Sequence, residues 1–174
     1  MLHQRLLGVT GPERLWGIDS SEEGVRLLRG MGFDHVILGD GEALPAGLKG
    51  EAFDVLLAGE IIEHLANPGR FLQSLTSIMS GGTELLLTTY NASSFKQFVH
   101  AMLREEKVHP DHNYYFSYRT LKQLLEKFHL RCVEIYYYQE VEGRGIARVL
   151  DRAVSALTRI SPLWSDGVIV RATL

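Results

Sequence analysis

Apolar positions along the chain fall into two rhythms that alternate. Short runs, Leu15 to Ile18, His35 to Leu38, Asp54 to Ala58 and Thr83 to Tyr90, carry β-branched or leucine residues, are closed by polar or glycine residues, and predict buried strands. Between them apolar residues recur at one-face spacing. Ser20 with Glu23 has capping-box spacing ahead of a helix from about Ser21 to Met31, and Asn67-Pro68 opens a second along Phe71, Leu72, Leu75, Ile78 and Met79. Glu60 to Leu65 also reads as helix-like. Glycine pairs or clusters end these segments, and Pro45, Gly47 and Gly50 leave at most one helical turn between Glu42 and Ala52.

Strand, helix, strand, helix, strand predicts an α/β fold with a mostly parallel sheet and right-handed crossovers. The rest of the chain changes character. Phe95, Phe98, Val99, Met102 and Leu103 mark an amphipathic helix, and Ser117 caps another with face Leu121, Leu124, Leu125 and Phe128. Arg131 to Gln139 and Asp166 to Thr173 predict two late strands around a helix from Gly145 to Ile160, an antiparallel C-terminal edge hairpin. Tyr136, Tyr137 and Tyr138 alternate faces, which places at least one of them in the core. Met1 to Val9 reads as the end of a helix.

With 174 residues and 45% hydrophobic content, the chain 1–174 is taken as a single domain. A net charge of -3 provides no basic field, so nucleic acid is not an expected partner, and no run reaches the length of a membrane span. A cytoplasmic small-molecule protein fits these numbers. Cys132 stands alone, which excludes an intrachain disulfide and a multi-cysteine zinc site and predicts a reduced core thiol.

Carboxylates stand where three strands stop: Asp19, Asp40 and Glu60. Ligands of open α/β sheets bind beyond the carboxyl ends of the strands, so these three are candidates for one ligand. The motifs WGIDSS, LGDGEAL, AGEIIEHL and HPDHNYYFSYRTLKQLLEKF, in this order, resemble those of class I S-adenosylmethionine-dependent methyltransferases of the small-molecule and ubiquinone-type group. The resemblance covers almost the whole chain and implies a Rossmann-like, doubly wound sheet with S-adenosyl-L-methionine as cofactor. It implies that Asp19 and Ser20 face the ribose, that Asp40 and Gly41 face the adenine, and that Ala58, Gly59 and Glu60 line the methionine end. It also implies that His109, His112 and Tyr115 line the pocket of a small-molecule methyl acceptor. The family's first strand and its glycine-rich turn have no counterpart here, so the expected sheet lacks that strand between those ending at Asp19 and Glu60. The seam left there predicts weakened cofactor binding and self-association.

Other readings accompany these. Asp19 also suits a nicotinamide-dinucleotide site or a helix cap, and Asp40-Gly41 suits an ordinary turn. His64 is the candidate general base toward an acceptor, or else a packing histidine. His109, Asp111 and His112 have the composition of a metal site, but they sit in a proline-containing loop with no further donor in view. The expectation is therefore lid or substrate-lining residues and no metal. The leading functional reading is methyl transfer to a small molecule; the alternative is a non-catalytic, methyltransferase-like partner subunit.

Overall fold

Two compact units divide the chain, Met1–Glu51 and Ala52–Leu174. The computed structural model describes residues 6, 8, 10–106, 108–140, 154 and 156–174. Most of the helix expected over Met1 to Val9, and most of that over Gly145 to Ile160, lies outside these residues. Leu6, Gly8, Thr10, Val154, Ala156, Leu157 and Thr158 are helical.

In the first unit β1 (Gly17–Asp19) pairs in parallel with β2 (Val36–Leu38), in the register Asp19↔Leu38. The crossover is α1 (Glu22–Gly30), whose Val25 packs with Phe33 and Val36, with Leu15 and Leu28 against them. The cap is one residue later than expected. The Asp19 side chain accepts the Ser21 N–H in an Asx turn, which spends Ser20 as the corner and leaves Ser21 to accept from the Gly24 N–H. Glu22 and Glu23 then occupy the first turn, where the helix dipole favours negative charge. Gly32, at φ +89°, turns the chain after the helix.

The second unit holds a four-stranded sheet in the order β3, β4, β6, β5: β3 (Val55–Gly59), β4 (Glu84–Tyr90), β5 (Arg131–Tyr138) and β6 (Gly167–Thr173). β3 and β4 are parallel; β6 is antiparallel to both β4 and β5. The last strand thus sits inside the sheet and β5 forms the rim. The connecting helices are α2 (Pro68–Thr76), α3 (Phe95–Met102) and α4 (Tyr118–Lys127). Asn67 caps α2 and Ser117 caps α4 with a full capping box, as their spacing predicts.

One face of the sheet is the core. Leu85, Leu87 and Thr89 on β4 lie opposite Ala172, Val170 and Val168 on β6, all essentially without solvent contact, and Leu72, Leu121 and Leu125 are buried with them. On the other face Arg171 of β6 pairs with Glu84 of β4 and with Glu134 of β5 at 2.9 Å.

Four expectations need correction. β3 is not buried: Val55 is 50% and Leu57 42% exposed, because β3 is the rim of its sheet; Leu56 is half-buried and Ala58 alone is fully buried. Cys132 is only partly buried, and none of Tyr136, Tyr137 and Tyr138 enters the core, since β5 is also a rim strand. Burial still holds the Cys132 thiol above its ordinary pKa. The segment after β3 is a tight turn at 62–64 and not a helix, because Glu60 takes φ +50° and breaks the direction of the chain.

If the β4–β6 layer carries the second unit, Leu87→Ala should lower its unfolding free energy by about 2–5 kcal/mol. The rim variant Val133→Ala should change it by less than about 0.5 kcal/mol in the same urea denaturation series.

Candidate active site

In the first unit the parallel register brings two of the expected residues to one sheet edge. Asp19 ends β1, Asp40 lies two residues past the end of β2, and the Gly39 N–H donates to the Asp19 carbonyl at 3.0 Å, tying the two strand ends together. Each carboxylate is oriented by the backbone two residues on: Asp19 Oδ1 accepts from the Ser21 N–H and Asp40 Oδ1 from the Glu42 N–H, both at 2.8 Å. Asp19 Oδ2 lies over Gly24, where a Cβ would come within 2.5 Å of it. Glycine at 24 is what allows the carboxylate this position. Ser20 is exposed at the turn and Gly41 follows Asp40.

In the second unit Ala58 and Gly59 end β3 and hand the chain to Glu60. Its N–H donates to the Thr88 carbonyl at 3.0 Å and to Thr88 Oγ1 at 3.1 Å, and its carboxylate accepts from the Tyr138 hydroxyl at 2.7 Å. Tyr138 lies across Gly167, its partner in the β5–β6 ladder, so closely that any Cβ at 167 would run into the ring. Burial first, then the bond to Glu60, pushes the Tyr138 phenol far above its ordinary range.

Beyond Glu60 the turn presents Glu63 inward and His64 outward. The Glu63 carbonyl accepts the N–H groups of Asn113 (2.7 Å) and Tyr114 (3.2 Å), Asn113 Nδ2 donates to the His64 carbonyl (2.8 Å), and the Tyr114 hydroxyl donates to the Ala66 carbonyl (3.1 Å). These bonds dock the loop at 108–116 onto the turn. Ring centroids are then 4.6 Å apart for His64 and His112, 4.9 Å for His109 and His112, and 5.9 Å for His64 and His109. Tyr115 and Tyr90 flank His112 at 5.6 and 5.2 Å. The structure therefore brings His64, His109, His112 and Tyr115 into one cluster, and His64 is exposed, not packed into the core. Burial, with His64 and His109 beside it, lowers the His112 pKa.

Glu63 is fully buried, and neither carboxylate oxygen has a well-formed hydrogen bond among the described residues; the Thr89 hydroxyl and the Glu63 backbone stand nearby and interact with it. Burial raises the Glu63 pKa above the usual carboxylate range. Two apolar hollows in the same unit, one of about 320 Å³ against Pro68 and Leu124 and one of about 580 Å³ against Phe98 and Trp164, contain none of these histidines or acids. The polar chemistry is at the strand ends.

A family model described as "Methyltransferase domain" matches residues 5–135. The chain belongs to the methyltransferase domain family. It is 35% identical over 79 residues, 42% of this chain, to the ubiquinone biosynthesis O-methyltransferase of Parvibaculum lavamentivorans, and spans 30% of the length of that curated relative. Among solved structures it is similar to an S-adenosylmethionine-dependent methyltransferase from Archaeoglobus fulgidus, at TM-score 0.58 and 18% identity over 99% of this chain and 91% of that one. It is also similar to a chain in the complex between the Haloferax volcanii Trm112 methyltransferase activator and a methyltransferase, at TM-score 0.69 and 17% identity over 98% of this chain and 76% of that one. These likenesses establish a class I, Rossmann-like methyltransferase fold, and the cofactor of that family is S-adenosyl-L-methionine. No described helix is long and apolar enough to cross a membrane.

The residues of this methyltransferase domain fit such a cofactor. Asp19 and Asp40 each have one oxygen anchored by a backbone N–H and the other without a partner among the described residues, which leaves acceptors for the hydroxyl and amino donors of a nucleoside. Sequence reasoning missed Glu63, Tyr138 and Gly167. A glycine opening a strand opposite a tyrosine is the signal that could have found the last two; Glu63 shows itself only through burial.

Tyr138 stays un-ionised in the folded chain, so Tyr138→Phe should leave the tyrosinate amplitude unchanged in an absorbance titration up to about pH 11. Its raised pKa contributes stability fully present below about pH 10 and lost as pH rises through the folded value. A loss of amplitude in the variant would show that the Tyr138–Glu60 contact does not hold in solution.

Proposed function

We propose that this domain transfers a methyl group from S-adenosylmethionine to a small-molecule acceptor. The observation that supports it most is the pair Asp19 and Asp40, held side by side at the carboxyl edge of parallel strands by the Gly39–Asp19 bond and pre-oriented by the backbone. When bound, the cofactor supplies an electrophilic methyl on a sulfonium, open to in-line displacement. Asp19, with Ser20, holds the ribose hydroxyls, and Asp40, with the Gly41 N–H, holds the adenine edge. The likeness of AGEIIEHL to the family's motif assigns Ala58, Gly59 and Glu60 to the methionine end; within its own unit Glu60 is kept in place by Tyr138. His64, His109, His112 and Tyr115 surround the acceptor, and His64 is the candidate to take its proton where the acceptor is a hydroxyl. Because the displacement is direct, holding donor and acceptor in line provides most of the acceleration.

The second reading, a non-catalytic partner subunit, draws on one feature: β3 is a rim strand with Val55 and Leu57 exposed, a surface another chain could pair with. Calorimetry with S-adenosylhomocysteine separates the two. Binding by this chain or by a version extended upstream, weakened about 10- to 100-fold by Asp19→Ala and by Asp40→Ala, is the expected result. No binding by the extended protein would overturn the catalytic reading and leave the partner reading standing.

A further inference from the structure

The turn after β3 and the loop at 108–116 meet at three imidazoles and an unexplained acid. One ring nitrogen from each of His64, His109 and His112 lies within 4.8 Å of the other two. A tetrahedral ion with three histidine nitrogens about 2.1 Å away would place their ring centroids about 5 Å apart, and the observed 4.6, 4.9 and 5.9 Å bracket that value. Both His64 and His109 are exposed, so the small rotations that bring the nitrogens onto one centre meet no packing.

The surroundings are those that orient metal-bound histidines. His64 Nδ1 lies 3.1 Å from the Asp111 carbonyl, so Nδ1–H donates there and the other nitrogen keeps its lone pair free. The Asp111 carboxylate stands 3.9 Å from His109 Nδ1, beyond hydrogen-bond reach; a small rotation of these two exposed side chains lets it accept from that nitrogen when Nε2 binds an ion, in exchange for the 3.3 Å bond that Nδ1 now receives from the Asp111 N–H. The second, independent observation is Glu63. Its carboxylate is fully buried in the same turn, next in sequence to His64, with no well-formed hydrogen bond to either oxygen. Glu60 lies close enough to His112 to favour positive charge there.

We propose that His64, His109 and His112 bind one divalent transition cation of the zinc class, placed next to Glu60 so that its open positions receive an oxygen of the methyl acceptor. The acceptor half of this statement rests on the methyl-transfer reading above; the cation site does not. Imidazole donors select zinc, cobalt, nickel or iron over magnesium and calcium, which demand oxygen ligands. Three protein ligands leave a fourth position open, as catalytic zinc sites do. The ion polarises an acceptor hydroxyl that coordinates to it, and His64 is then a ligand and not the base.

The test is titration of tag-free, chelator-treated full chain with Co2+, read by its visible absorption. One equivalent should develop a saturable ligand-field band that Zn2+ displaces and excess Mg2+ does not. His109→Ala, on an exposed loop residue that leaves the fold intact, and His64→Ala should each weaken binding by about 100-fold or more; Glu63→Gln should weaken it by about 10-fold. Absence of the band, or a band unchanged in both histidine variants, overturns the site. Calorimetry with S-adenosylhomocysteine on the same preparations keeps the two ideas apart: cofactor binding without the band removes only the cation, and the band without cofactor binding removes only methyl transfer.

Discussion

The Glu63 carbonyl is the point on which the second unit's chemistry depends. One oxygen takes the N–H groups of Asn113 and Tyr114 and so fixes a loop nearly 50 residues away to the turn that follows β3. The loop contributes little apolar burial of its own, since residues 108–114 are exposed apart from the partly buried His112. That carbonyl, the side-chain bonds from Asn113 and Tyr114, and the His64 Nδ1–H bond to the Asp111 carbonyl together keep His109 and His112 beside His64. A tight turn offers its carbonyl outward only because Glu60 has already broken the strand's direction at φ +50°. The strained residue and the docked loop are parts of one arrangement.

That arrangement accounts for the acids as well. Glu60, turned aside from the ladder, is held by a tyrosine from the far rim of the sheet, and Tyr138 reaches it only because Gly167 leaves room for the ring. Glu63 points the other way, into the interior, where burial raises its pKa and no well-formed hydrogen bond holds its oxygens. Local backbone strain at Glu60 and a buried carboxyl at Glu63, three residues on, are features that packing alone would remove, and sites of chemistry are where they persist.

The alternation of strands and helices was readable from the chain because helices carry their own start signals, Asn67-Pro68 and Ser117 above all, and β1, β2 and β3 each run into a glycine or an acid at their carboxyl ends. The parallel pairing of β1 with β2 and of β3 with β4 follows from that alternation. What could not be read was sheet order: nothing local in Gly167–Thr173 says that this strand inserts between β4 and β5, and the exposure of Val55, Leu57 and Tyr136 follows from that order and not from hydropathy. The site was legible where a residue's place on a strand end sufficed, as for Asp19 and Asp40. It was not legible where contact spans the chain. The sequence shows His109 and His112 as two donors short of a third, and only the fold brings His64, 45 residues earlier, to complete the group.

Amide hydrogen exchange in the native chain tests the central claim most directly. The account predicts that the Asn113 and Tyr114 amides exchange at least about 100-fold more slowly than those of the exposed stretch 108–111, although they belong to the same loop. Exchange of all these amides at one fast rate would mean that the Glu63 carbonyl does not hold the loop, and that the histidines are not kept together.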